Sequence, residues 1–165
     1  MSIYIAYLAV FLLAATPFLE VVGVIPIGVA AGLSALPVTV IAFSGNILTI
    51  WLVILMMDRV KAWLQKHNDK KGNVASEKRG KRASDIWKRY GLPGLAIVSP
   101  ILVGSHLGVI LAMSFGGKRK QITFWMTFSV LAWAVVIGIA SYFGIDFLFS
   151  QTGSEGFLTN LLETK

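Results

Sequence analysis

Apolar residues fill positions 1–57 with a single charged interruption, Glu20, and long uncharged apolar runs return at 91–117 and 122–143. The run 37–57 (PVTVIAFSGNILTIWLVILMM) holds no charge; at about 1.5 Å per residue it predicts a helix of about 30 Å, one full membrane crossing. Residues 122–143 predict a second crossing helix. Residues 3–36 are as apolar but are interrupted by Pro17, Pro26 and Pro37 and by Gly23, Gly28 and Gly32, and the stretch before Pro17 is too short to cross alone. It lacks the basic residues that open a signal peptide.

The run 91–117 poses a conflict between length and charge. It is long enough to cross, yet Lys118, Arg119 and Lys120 follow at once. If the segment dips in and returns, these cations join the other basic residues on the cytoplasmic side, as the positive-inside bias requires. Pro93, Pro100, Gly104 and Gly108 supply the breaks such a re-entrant hairpin needs. The expected fold class is therefore all-α: a polytopic membrane protein with two re-entrant helical hairpins and two main crossing helices. The expected layout is one membrane domain over 1–165: a hairpin plus crossing helix (3–57), a basic cytoplasmic loop (58–90), a second hairpin plus crossing helix (91–143) and a tail (144–165). If the first broken segment is also re-entrant, the two units form an inverted repeat, an arrangement in which transporters place substrate where broken helices meet. Gly28/Gly32 and Gly104/Gly108 share a GxxxG spacing, for which close helix packing is the simplest explanation.

Composition agrees with the pattern. Hydrophobic residues make up 56% and charged residues 14% of 165, a membrane-protein balance. The net charge of +7 is wholly local, because residues 58–90 hold 11 Lys/Arg and 4 Asp/Glu. A basic stretch between apolar spans, with no recognition module, argues against nucleic acid and for a cytoplasmic loop in reach of anionic membrane lipids. Trp51, Trp63, Trp87, Tyr90 and Trp125 fall near that boundary, and Tyr142 and Phe143 near the other. Within the loop, Val60, Trp63, Leu64 and His67 continue the first crossing helix into the interface. NDKKGNVASEKRGKR reads as a solvated linker, and SDIWKRY as a short interfacial helix with Ser84 as its N-cap. Phe157, Leu158, Leu161 and Leu162 give the tail one apolar helical face.

Candidate chemistry is sparse. With no cysteine, disulfides and thiolate chemistry are out. No nucleophile with a base, metal-ligand spacing or phosphate-binding glycine loop is present, so neither catalysis, a cofactor nor a metal is expected. Glu20 is the exception that needs a reason. An acidic side chain at the bilayer centre costs about 2.5–3.5 kcal/mol, so an ionised Glu20 requires a partner, water or a proton. Ser105 and His106 are the polar pair at the corresponding depth of the second hairpin. Asn46, near the middle of its crossing helix, is a reserve candidate for capping a helix break, lining a cavity or packing.

The segment PFLEVVGVIPIG resembles the P-x-x-E-x-R-G-x-I-P-x-G signature of the small multidrug export protein family, a relative of the DedA/VTT membrane proteins. Pro17, Glu20, Gly23, Ile25, Pro26 and Gly28 match, and Val22 stands where the family usually has arginine. The resemblance implies facing re-entrant hairpins, a prokaryotic inner-membrane location, and transport: drug export by name, lipid-carrier translocation among the DedA relatives. An anionic lipid phosphate would call for arginine, and neither hairpin has one. A cationic or neutral amphipathic molecule exchanged for protons fits Glu20 better. The expected site is Glu20, Ser105 and His106, with Asn46 in reserve. Pro17, Gly23, Pro26, Gly28, Pro100, Gly104 and Gly108 are the expected hairpin breaks. A lipid translocase and a membrane adaptor are the competing classes, and a homodimer is the expected assembly.

Overall fold

The computed structural model of the chain describes residues 3–17, 19–57, 59 and 74–152, with 74–84, 86 and 145–152 described as backbone alone. The expected interfacial segment at 60–67 and the amphipathic tail lie outside the described residues. Within them all regular structure is helical: α1 (Ile3–Ala14), α2 (Glu20–Ala30), α3 (Ala35–Leu55), α4 (Val74–Leu102), α5 (Ser105–Ser114) and α6 (Arg119–Thr152). Among the described residues two helices are long and apolar enough to cross a membrane, Ala35–Leu55 and Arg119–Gly144. The second begins three residues earlier than the apolar run, taking Arg119 and Lys120 into its first turn. Side chains are apolar on buried and exposed faces alike, as with Val38 and Ala42 inside and Val40 and Leu48 outside on α3. That is how a helix solvated by lipid reads.

The basic stretch differs from expectation. Residues 74–82 are helical and Ser84 lies in mid-helix, so the linker reading fails over that part and Ser84 caps nothing. Ala75, Glu77, Lys78, Arg79, Lys81, Arg82 and Ala83 include strong helix formers, and Glu77 and Lys81 have the supportive i,i+4 spacing, which outweighs the lone Gly80. The helix breaks only at Gly91 (φ 64°).

The chain forms two compact units, Met1–Ile47 with Val130–Lys165, and Leu48–Ser129. In the first unit α1 and α2 make a hairpin. Ala6, Val10 and Ala14, four residues apart, bury one stripe of α1 while Tyr4, Leu8 and Leu12 stay exposed. A Cβ added to Gly28 would meet Val38 at 2.9 Å and Val10 at 3.5 Å, and one added to Gly45 would fall on the Phe11 carbonyl oxygen. Small residues thus let α1, α2 and α3 approach one another closely.

The second unit contains a corresponding hairpin. The limb of α4 after Gly91 and the ten-residue α5 are each about 15 Å long, half of a hydrocarbon core. They pack on each other, and an added Cβ at Gly108 would overlap Ser99. Trp87, before this hairpin, and Phe115, after it, have their rings 5.5 Å apart.

Each GxxxG pair divides its labour. Gly28 and Gly108 make the close contacts, while Gly32 (φ 96°) and Gly104 (φ 95°) hold the left-handed conformation at the hairpin and helix ends. Leu33 N–H to Gly28 C=O (3.1 Å) and Gly104 N–H to Ser99 C=O (2.6 Å) close those ends.

Pro100 sits inside α4 and leaves the Ala96 carbonyl without its helical donor. Ser129 of α6 supplies one, its hydroxyl donating to Ala96 C=O at 2.7 Å in a buried position. Polar groups freed in an apolar setting are re-satisfied in this way. Ser129→Ala is expected to lower stability by about 1–3 kcal/mol. In a Pro100→Ala background, where the backbone N–H returns, the same change should cost clearly less. A double-mutant cycle on thermal unfolding checks this, and equal costs in the two backgrounds would contradict it.

Candidate functional site

Glu20 follows the interruption between α1 and α2, where Ala15 N–H and Thr16 N–H bond back to Phe11 and Leu13 carbonyls at 3.0 Å and the Thr16 hydroxyl donates to Leu13 C=O at 2.6 Å. Pro17 falls in this interruption, so α1 cannot continue into α2. Glu20 is the first residue of α2. It is 3% exposed and has φ 43°. A left-handed backbone costs a residue with a Cβ about 1–2 kcal/mol, and burial of a carboxyl adds to that. Glu20 thus combines two unfavourable features, a left-handed backbone and a buried carboxyl. The side chain also lies at the N-terminus of α2.

Of the other expected breaks, Gly104 stands at a turn, while Gly23, Pro26 and Gly28 lie within α2, Pro100 within α4 and Gly108 within α5. Besides Pro17 and Gly104, the chain turns at Gly32. Helices tolerate interior glycine where a neighbour packs close, and interior proline at the loss of one hydrogen bond.

Asn46 is fully buried in the first unit, next to the Gly45 contact with α1. α3 runs unbroken through it, so Asn46 caps no interruption there. The same unit has an open apolar cavity of about 330 Å³ between the start of α3 and α6, lined by Ala35, Leu36, Thr39, Val135, Gly138 and Tyr142.

Ser105 and His106 open α5 in the second unit, both buried. His106 Nε2 and Thr49 Oγ1 share a hydrogen bond of 2.9 Å. The imidazole N–H donates to the hydroxyl in one tautomer, and the hydroxyl donates to the bare nitrogen in the other. Thr49 is the polar residue that sequence reasoning missed. Its position three after Asn46 on one helix was the available signal. The structure therefore places Glu20 and Asn46 in one unit and Ser105, His106 and Thr49 in the other. Among the described residues no three His, Cys, Asp or Glu side chains gather as metal ligands do.

A family model described as "Putative small multi-drug export protein" matches residues 20–136, about seven-tenths of the chain. The chain belongs to this family. The small multi-drug export match opens on Glu20 itself and takes in α2, α3, α4, α5 and α6 as far as Val136, including Asn46, Ser105 and His106. Among curated proteins and solved structures there is no significant match. Family and apolar helices together describe a membrane protein of the export class.

Proposed function

We propose that the protein exports a small amphipathic molecule, cationic or neutral, in exchange for protons, and that Glu20 carries the proton. The observation that supports this most is the buried, left-handed Glu20 at the turn of a hairpin. Substrate and proton compete for the carboxyl; protonation neutralises it and frees the first hairpin to rearrange, and loss of the proton resets it. The apolar cavity of the same unit is of a size to take the apolar part of such a molecule. Asn46 is assigned to a polar contact within this unit, and Ser105 with the His106–Thr49 pair to polar contacts within the other. Both hairpins are read as re-entrant and as an inverted repeat, since each has limbs too short to cross.

The test is export of a lipophilic cationic dye from proteoliposomes under an imposed pH gradient. Movement that stops when a protonophore collapses the gradient is the expected result. Gradient-independent flipping of a labelled lipid, with no dye export, would instead make the protein an uncoupled lipid translocase.

A further inference from the structure

Two basic clusters far apart in sequence meet at one end of the second unit. Trp87 immediately precedes Lys88 and Arg89; Phe115 precedes Lys118, Arg119 and Lys120 by three residues, and the two rings are in contact. All five cations are exposed, against one carboxylate, Asp85, among the described side chains of 85–90 and 118–120. Tyr90 is 61% exposed, and the Arg89 guanidinium lies 5.6 Å from its ring centroid.

Orientation by positive charge needs only the number of cations on a side of the membrane, not a particular arrangement of them. Here two groups of them flank one aromatic contact, next to an exposed tyrosine of the kind that sits at headgroup level. The three at 118–120 also surround the start of α6, where the helix dipole opposes positive charge and an anion relieves both. We propose that this end of the second unit is a docking surface for anionic phospholipid headgroups, kept in shape by the Trp87–Phe115 contact. Charge complementarity names the occupant: the apolar helices fix the protein in a bilayer, and cytoplasmic leaflets carry anionic lipid.

The experiment measures how strongly the full-length protein, in nanodiscs of mixed phosphatidylglycerol and phosphatidylcholine, enriches a spin-labelled phosphatidylglycerol over its phosphatidylcholine counterpart. Enrichment should fall about fivefold per charge removed in the K118Q/R119Q/K120Q series at low salt, and should collapse at 1 M salt, where the Debye length is about 3 Å. Trp87→Ala removes no charge and is still expected to lower enrichment severalfold, with Trp87→Phe retaining it; Phe115→Ala serves in place of Trp87→Ala should that variant fail to fold. Equal association of the two lipids with the native protein would overturn the proposal, as would undiminished enrichment in the ring variants. Dye export plays no part in this readout, so the surface stands or falls apart from the transport reading.

Discussion

Glu20→Gln is expected to insert and fold like the native protein while gradient-driven dye export falls to background, a loss of a hundredfold or more. Glutamine keeps the length and hydrogen-bonding capacity of the side chain but neither binds nor releases a proton, so it removes coupling and little else. A purely structural carboxyl would behave differently. It would tolerate glutamine in transport, and its loss would appear in stability. Full export by Glu20→Gln would sink the assignment.

The second large effect is on packing. The Cβ of Gly45→Ala would fall on the Phe11 carbonyl oxygen, a backbone atom that cannot swing aside. α1 would have to move as a unit, and the expected loss is about 3 kcal/mol or more, seen as aggregation or a melting point lowered by many degrees. Gly144→Ala is the matching control. Nothing lies within 4 Å of its added Cβ, and helix propensity alone makes the change stabilising by up to about 1 kcal/mol. Similar behaviour of the two variants in detergent thermal unfolding would refute the close α1–α3 approach.

Much of this was legible from local pattern. Uncharged runs of the right length mark α3 and α6, because a bilayer imposes a minimum length that a sequence cannot disguise. Glu20 stood out because nothing else in the first 57 residues is charged. The match beginning at Glu20 agrees with a motif whose glutamate, glycine and proline positions were readable one by one. What stayed hidden depends on contacts between distant segments. Pro100 signalled a break, and only the placement of Ser129 opposite Ala96 shows how the helix continues through it. The paired glycines announced close packing but not which member packs and which turns. Thr49 looked like one more hydroxyl in an apolar helix until His106 lay beside it. The helix from Val74 was missed for a different reason: a charged, glycine-containing stretch resembles a linker when composition is weighed above i,i+4 spacing.

The claim on which export most depends is that 91–117 enters the membrane and leaves on the side it entered. The native chain has no cysteine, so Lys81→Cys and Lys120→Cys each give a unique thiol for a membrane-impermeant reagent in oriented vesicles. Labelling of both from the cytoplasmic side is the predicted result. Labelling from opposite sides would make the segment a plain crossing, and the reading of the protein as a hairpin-based exporter would fall with it.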